Sequence, residues 1–277
     1  MVSIDSRQLF RGVEIASNAP TPWQRAAARF HLVGVLDPWA TVDAALYTRL
    51  ARAALEDVAT RNLPAVLTAG TGLYLRALRR GFGLGGRPRD PGLRAELEAE
   101  ATTRGLAGLV GRLAELDPAG AAVIDSANSV RVVRALELAI LRQAQPLGGA
   151  GEASSGPPVP MTVIFLDCDR ALLHNRIRVR AENMVESGLA EEFESLMRSP
   201  RPPSVAVLRS IGVAEIAAMS HGHMSRAQAV EAIAVRTRNY AKRQLTWFRH
   251  EQPSHRLDVT GMGASDIVDA IFEMGLC

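Results

Sequence analysis

The chain has 277 residues, of which 47% are hydrophobic, so it is long enough for one large or two smaller globular domains. No apolar run approaches the length of a membrane span, and the first residues lack the features of a signal peptide. Its two cysteines, Cys168 and Cys277, form no ligand pattern and suit a reducing cytoplasm, where we expect the protein to act.

The formal charge of +3 is carried almost wholly by arginine, because Lys242 is the one lysine in the sequence. A Walker A loop needs a lysine after a glycine to reach bound phosphates. Lys242 lies in the segment Tyr240-Ala241-Lys242-Arg243, without a glycine nearby. The sequence therefore contains no P-loop motif.

The N-terminal third predicts a strand-turn-helix unit. Val2 to Asp5 are interpreted as the end of a short strand, and Thr41 to Arg61 as a helix. The apolar run Leu63 to Ala69 is typical of a buried parallel strand. Gly70-Thr71-Gly72 then forms a turn before the helical pattern Leu73 to Leu78.

The middle third predicts only helices, after a glycine-rich break at Gly81 to Gly86. Asp90-Pro91 pairs an N-cap with a proline at the first helical position. Because no strand pattern occurs from Pro88 to Gln145, residues 85–145 are interpreted as an all-helical insertion, with further helices over Leu106 to Leu116, from Asp117-Pro118 and over Ala127 to Gln143. Residues 146–159, rich in Gly, Ser and Pro, predict a flexible linker.

The last third returns to alternating elements. Met161 to Asp167 predicts a second buried strand, and Ala171 to Arg198 a long helix. Ser225 and Gln228 form a capping-box pair before a last long helix to about His250. Arg256 to Val259 predicts a closing strand. Strands that alternate with helices indicate a parallel α/β sheet, formed by residues 1–84 and 160–277.

Two segments are candidates for chemistry at the ends of strands. Asp5-Ser6-Arg7-Gln8 follows the first strand, where parallel sheets place their ligands, and Asp5 could accept a proton. The same residues could simply cap a turn. Gly70-Thr71-Gly72 exposes backbone N–H groups at a helix N-terminus, which suits an anion, although a plain tight turn explains it as well.

Arginine-rich helix faces are further candidates. Arg176 and Arg180 share a face, as do Arg131 and Arg134, and guanidinium forks suit phosphate oxygens. A solvated helix face is the simpler explanation of each pair. The last helix carries basic residues with aromatic residues between them, a pattern that fits nucleic-acid contact, or a core helix with basic outer faces: Arg236, Arg238, Tyr240, Lys242, Arg243, Trp247, Phe248 and Arg249.

The ordered set of motifs resembles one family closely, the tRNA dimethylallyltransferases. The motifs cover nearly the whole chain: IDSRQLFRG, LTAGTGLYLRAL, DPGLRAELEAEA, LAELDPAGAAVID, VRVVRALELA, LHNRIRVRAENMVESGL, RSIGVAEI and TRNYAKRQLTWFRHE. The resemblance implies transfer of a dimethylallyl group from dimethylallyl diphosphate to the exocyclic amine of the tRNA adenosine 3′ of the anticodon. It also implies a P-loop-kinase-like parallel sheet flanked by helices, an insertion that grips the anticodon stem-loop, Mg²⁺, and a monomer.

The resemblance assigns roles residue by residue. Asp5 is implied as the proton acceptor, with Thr71 and Arg180 as the other catalytic residues. Thr71, Arg176 and Arg180 are implied as pyrophosphate ligands, and no protein ligand to the metal is assigned. The implied tRNA contacts are Asp5, Ser6, Arg7, Gln8, Arg94, Val130, Arg131, Val132, Val133, Arg134, Arg209, Ser210, Ile211, Gly212, Val213 and Ala214.

The sequence departs from the family where the P-loop should precede the aspartate segment. We therefore expect an N-terminally truncated chain in which the donor side of the site is incomplete. Val130 stands where glutamine is usual, which we expect to weaken one polar tRNA contact. Two alternatives stay open, a non-catalytic RNA-binding relative and a nucleotide kinase of the same superfold, although the insertion and the missing lysine disfavour the kinase.

Overall fold

The computed structural model describes residues 1–81, 90–144 and 156–275, and the chain divides into two compact units. The first unit comprises Met1–Gly81 and Ser155–Cys277, and the second comprises Phe82–Ser154. In chain order, the elements up to the second unit are β1 (Val2–Ile4), α1 (Pro22–Ala27), α2 (Ala44–Thr60), β2 (Leu67–Ala69) and α3 (Gly72–Arg80).

The second unit is helical throughout its described residues, and the chain then returns to the first unit. The helices of the second unit are α4 (Pro91–Arg104), α5 (Leu106–Leu116), α6 (Pro118–Val123) and α7 (Ser129–Ala144). The first unit continues with β3 (Ile164–Asp167), α8 (Arg170–Glu186), α9 (Leu189–Met197), α10 (Val205–Leu208), α11 (Val213–Ser220), α12 (Arg226–His250), β4 (His255–Asp258) and α13 (Ala264–Glu273).

The strands are parallel, as the alternation of strands and helices predicted. β1 pairs with β2, and β3 pairs with β4, each in parallel register. In the described part of the chain, however, these are two separate two-stranded sheets. The first unit is thus of the α/β class, and its short strands place the residues that follow β1 and β2 side by side.

Strands β2 and β3 are both shorter and more exposed than predicted. The strand expected over Leu63 to Ala69 begins only at Leu67, because Leu63 N–H donates to the Val58 carbonyl (3.5 Å) and closes a turn after α2. Leu63 and Val66 are 54% and 52% exposed, so this segment is not a buried strand. Likewise, β3 begins at Ile164 rather than Met161, and Leu166 is exposed.

The single helix predicted over Ala171 to Arg198 is two helices. Gly188 lies between α8 and α9 with a left-handed φ of +97°, a conformation that glycine adopts without steric penalty. The apolar periodicity continues across this turn because both helices pack on the same core. Helices α1 and α13 were not predicted.

Each unit has its own hydrophobic core. Buried side chains of β1, α2, α3, α8, α9, α11 and α12 form the core of the first unit. Leu97, Leu109, Leu113 and Leu136 centre the core of the second unit. In this unit, α4 and α6 begin at the predicted caps, since the Asp90 and Asp117 carboxylates accept N–H bonds from the first turns of these helices.

Part of the predicted linker is attached to the first unit. Residues 145–155, with most of the 146–159 segment, lie outside the described residues, as do most of the break at Gly81 to Gly86 and the N-terminal edge of the predicted insertion. Within the described end, Val159 N–H donates to the Leu78 carbonyl (2.9 Å), and Arg52 donates to the Pro157 carbonyl. Residues 157–159 are therefore fixed by hydrogen bonds. Of the helices in the described ranges, none is long and apolar enough to span a membrane.

Candidate active site

The carboxyl ends of β1 and β2 bring Asp5 and Thr71 together. The N–H groups of Gly70 and Thr71 both donate to the Ile4 carbonyl, at 3.1 and 3.0 Å. The Ser6 N–H donates to the Thr71 hydroxyl at 3.2 Å. The two segments that the sequence singled out are thus one site, held by hydrogen bonds between the turns that follow adjacent strands.

The two carboxylate oxygens of Asp5 have different surroundings. Oδ1 accepts hydrogen bonds from the N–H groups of Arg7 (2.7 Å) and Gln8 (3.3 Å), which is the turn-capping role. Oδ2 receives no hydrogen bond from the described residues. A methyl group added at Gly70 would lie 2.9 Å from Oδ2, so glycine at this position keeps the space beside it clear. Asp5 can therefore cap its turn and still offer one oxygen to a ligand.

Helix α12 completes the wall of the site. The Tyr240 hydroxyl and the Gln244 amide both donate to the Gly70 carbonyl, at 2.7 and 3.0 Å. Burial, reinforced by the Asp5 carboxylate, raises the pKa of Tyr240 to about 12, so the phenol stays protonated as a donor. From the sequence, Tyr240 was expected only as an aromatic residue in a basic helix, and Gln244 was not predicted, because nothing local links α12 to the glycine turn.

Gly72 is required by the close approach of Trp247. A methyl group at Gly72 would lie 2.0 Å from Nε1 of Trp247, an impossible contact. The Arg76 guanidinium lies 4.1 Å from the indole centroid and also pairs with the buried Glu251. Arg79 donates to the Glu251 carbonyl (2.8 Å). These contacts join α3 to the end of α12 and fix the glycine turn between them.

Arg7 and Arg180 supply positive charge next to Asp5. Burial lowers the pKa of each guanidinium, and the attraction of the Asp5 carboxylate opposes this lowering. The Nε atom of Arg180 is buried and has no hydrogen-bond partner among the described residues. Arg176, one turn earlier on α8, is exposed. The structure thus brings Arg180 to the Asp5 site and leaves Arg176 at its outer side.

The side chain of Gln8 is engaged inside the protein. Its Oε1 accepts from the Ser3 hydroxyl (2.7 Å), and its Nε2 donates to the carbonyls of Ser17 and Asn18 (3.3 and 3.0 Å). Glu192 holds the same loop, because its carboxylate accepts from the N–H groups of Ile15 and Ala16. Gln8 therefore positions a loop, and Glu192 is a second positioning residue that the sequence analysis missed.

The segment 209–214, an expected tRNA contact, is partly buried and fixed by contacts within the first unit. Ser210, Gly212 and Val213 are buried, and Ile211 packs on the core. The buried Glu215 pairs with Arg236, whose guanidinium also donates to the Arg209 carbonyl (2.8 Å). The Arg209 side chain is exposed, and Ile211 and Ala214 are partly exposed.

In the second unit, the expected contact residues divide between surface and core. Val132 and Val133 are buried among the helices, so their side chains pack rather than face a ligand. Val130 and Arg131 are exposed. Arg94 and Arg134 both pair with Glu137, which is fully buried and also accepts from the Asp90 N–H (3.1 Å). The two arginines are thus held in one fixed arrangement.

Several basic residues of α12 have internal partners. Arg238 pairs with Glu231 (2.7 Å), and the Arg243 guanidinium lies 5.8 Å from the Tyr240 ring centroid. Phe248 is buried in the core and lies 5.9 Å from the Phe165 ring. The helix is therefore a core helix with basic outer faces, one of the two explanations that its pattern allowed.

The family model and the curated relatives that match this chain all describe prenyltransferases. The family model described as IPP transferase matches residues 8–251. The tRNA dimethylallyltransferase of Exiguobacterium sp. is 37% identical over 251 residues, which cover 91% of this chain and 79% of that relative. The tRNA dimethylallyltransferase of Anaeromyxobacter dehalogenans is 39% identical over 252 residues, covering 91% and 84%.

Solved structures agree in fold. The tRNA isopentenylpyrophosphate transferase from Bacillus halodurans is 31% identical, with a TM-score of 0.68 over 99% of this chain and 86% of that one. A eukaryotic dimethylallyltransferase, described as acting on tRNA, gives a TM-score of 0.72 over 98% of this chain and 71% of that one. At 20% identity, the second likeness concerns the fold alone.

Proposed function

Because this chain belongs to the IPP transferase family, we propose that it transfers a dimethylallyl group from dimethylallyl diphosphate to the exocyclic amine of the tRNA adenosine 3′ of the anticodon. The observation that carries this proposal is the Asp5 carboxylate beside Thr71 at the ends of two parallel strands, with one oxygen committed to the turn and the other open. A site of this kind can receive a proton without losing its own shape.

In this reaction, the adenine amine attacks the first carbon of the dimethylallyl group. A carbon–nitrogen bond forms, the carbon–oxygen bond to the diphosphate breaks, and the diphosphate leaves with the electron pair. The nitrogen then carries one proton too many, and Oδ2 of Asp5 accepts it. The base must leave its stack to reach the carboxylate, as base-modifying enzymes generally require.

Arg180 and Thr71 are proposed to bind the leaving diphosphate. A buried guanidinium with an unpaired Nε suits a charge-assisted hydrogen bond to a phosphate oxygen, which strengthens as negative charge develops. The Thr71 hydroxyl and the turn before α3 add further donors at a helix N-terminus. Arg176 is proposed as an outer ligand of the same group.

We propose that Mg²⁺ binds at this site as an ion held chiefly by the substrate. The described residues hold no cluster of three or more His, Cys, Asp or Glu side chains. Magnesium commonly binds phosphate oxygens and water, with one or two protein oxygens. Thr71 would contribute such an oxygen, and the ion would neutralise charge on the departing diphosphate.

The helical unit, near residues 85–145, is proposed to grip the anticodon stem-loop. Arg94, Arg131 and Arg134 provide guanidinium groups for phosphate contact. The first unit is proposed to have a P-loop-kinase-like fold, supported by its parallel strands and its strand-turn-helix unit at the glycine turn. We also propose that the protein acts as a monomer in the cytoplasm.

The direct test is transfer of a radiolabelled dimethylallyl group to an anticodon stem-loop RNA by the purified protein with Mg²⁺. We expect label in RNA with adenosine 3′ of the anticodon and none in matched RNA with guanosine, which has a carbonyl where adenine has its amine. Binding of the stem-loop without transfer would instead support a non-catalytic RNA-binding relative. Absence of both transfer and binding would contradict either function.

A further inference from the structure

A groove of about 680 Å³ lies in the first unit between the segment 14–22 and helix α8. Asn18, Thr21 and Pro22 line one wall, and Arg176, Arg180 and Asn183 line the other. Its volume falls in the range of pockets that hold small organic ligands. Arg180 also neighbours Asp5, so the groove leads from the surface toward the candidate active site.

The groove has an excess of positive charge. Neither Arg176 nor Arg180 has a carboxylate within salt-bridge distance among the residues that the structure describes. Glu14, the acidic residue of the lining, has its carboxylate at 3.2 Å from the Gly12 N–H, which donates to it. By contrast, Arg178 on the same helix lies outside the groove and pairs with Glu182 (2.8 Å). The unpaired guanidinium groups therefore face the groove, where an anionic ligand would complement them.

An exposed tryptophan comes directly after the groove-lining residues Thr21 and Pro22 in the chain. Trp23 follows Pro22 directly and is 79% exposed, whereas tryptophan is usually among the more buried residues. Helix α1 buries no residue, yet the Thr21–Gln24 capping box and a bond from Arg25 to the Pro20 carbonyl (2.9 Å) fix its start. The fold thus holds a large aromatic ring in solvent on a defined support.

Unpaired arginines in a groove, together with an exposed aromatic residue that follows one of its lining residues, match the chemistry of single-stranded RNA, in which phosphates alternate with flat bases. We propose that this groove guides a nucleotide flanking the modified adenosine, with its phosphate on Arg176 and its base stacked on Trp23. The inference rests on the proposed tRNA substrate, and it replaces the pyrophosphate role of Arg176 with an RNA contact. Trp23 then contributes to RNA affinity but takes no part in the chemical step.

The test measures binding of a fluorescent anticodon stem-loop to the full chain by anisotropy at several salt concentrations. We expect Trp23→Ala to weaken binding about tenfold, a typical loss for one stacked base, and Trp23→Phe to stay within about twofold because a ring remains. Arg176→Gln should make the slope of log Kd against log salt concentration shallower, by the amount that about one phosphate contact contributes. Arg178→Gln is the matched control on the same helix and should leave the slope unchanged.

The results separate this inference from the proposed transferase function. Wild-type affinity in Trp23→Ala, or equal effects of Arg176→Gln and Arg178→Gln, would overturn the groove as an RNA path even if the protein transfers the dimethylallyl group. A raised KM for dimethylallyl diphosphate in Arg176→Gln, with unchanged RNA binding, would show that Arg176 binds the diphosphate of the donor and not RNA. Conversely, RNA binding that depends on Trp23, without any transfer, would support the groove as an RNA path and contradict the proposed transferase function.

Discussion

At the scale of the residue, Asp5 has two tasks that one substitution can separate. Asp5→Asn keeps an Oδ1 acceptor for the N–H groups of Arg7 and Gln8 but removes the base. We expect kcat to fall by about 10²- to 10⁴-fold, the usual contribution of general acid–base catalysis, with stem-loop affinity nearly unchanged. Asp5→Ala should lose turnover too, and it should also loosen the turn. An unchanged kcat in Asp5→Asn would remove Asp5 from its proposed role.

The packing of Trp247 against Gly72 favours glycine at this position. Gly72→Ala would place a methyl group inside the Trp247 indole, so we expect the free energy of unfolding to drop by about 1–3 kcal/mol as the ring is displaced. Gly108→Ala in α5 is the control, because no atom lies within 4 Å of its added methyl group and alanine favours helix. Urea unfolding measures both, and equal stability of the two variants would contradict the packing argument.

At the scale of the element, Glu192 joins α9 to the loop that forms one wall of the groove. Its carboxylate accepts from Ile15 N–H (2.7 Å) and Ala16 N–H (3.0 Å). Burial raises the pKa of Glu192, and these two hydrogen bonds oppose the rise. The position of the loop at residues 15–18 thus depends on Glu192 from a distant helix as well as on Gln8, which donates to the Ser17 and Asn18 carbonyls.

We expect Glu192→Ala to lose about 1–3 kcal/mol of stability, because two backbone donors lose their acceptor. The altered loop should also raise the KM for RNA more than it lowers kcat. Glu192→Gln keeps one acceptor oxygen and should recover part of both losses. Steady-state kinetics with stem-loop RNA, together with urea unfolding, checks this prediction. A variant that changes stability alone would show that the loop does not shape the RNA path.

At the scale of the whole molecule, each unit has its own core, and the helical unit contains a buried ionic cluster. Burial tends to raise the pKa of Glu137, but hydrogen bonds from Arg94, Arg134 and the Asp90 N–H outweigh it, so the pKa lies below its ordinary value of 4.5. A carboxylate with a lowered pKa stabilises the fold above the ordinary pKa. This contribution is lost as the pH falls through the lowered value.

We expect Glu137→Gln to reduce the local stability of α7 by about 1–3 kcal/mol at neutral pH, since two partly exposed guanidinium groups lose a charged partner. The difference from wild type should shrink as the pH falls below the ordinary carboxyl value. Hydrogen exchange of the α7 amides in the full chain measures this. Glu100→Gln, which breaks the more exposed pair with Arg112, is the control in the same unit and should cost less than about 1 kcal/mol. Equal effects of the two variants would contradict the ionic cluster as a stabilising feature.

The sequence by itself determined the features that local patterns encode. Caps at Asp90, Asp117 and Ser225 predicted helix starts, because a side-chain acceptor and the N–H groups it binds lie within three residues. The strand-turn-helix at Gly70-Thr71-Gly72 and the ordered motifs likewise needed no tertiary contact. The motifs identified the family, and the resemblance assigned Asp5 and Thr71 to one catalytic site.

Only the tertiary structure decided what those residues touch. Tyr240 reaches Gly70 across 170 residues, and Glu192 reaches Ile15 across 177, separations at which no periodic pattern specifies a partner. Burial, too, depends on which elements pack together, so Val132 and Val133 became core while Trp23 stayed in solvent. The chain's local chemistry therefore predicted the candidate site, and long-range packing determined which of its side chains are open to a ligand and which are held by other parts of the fold.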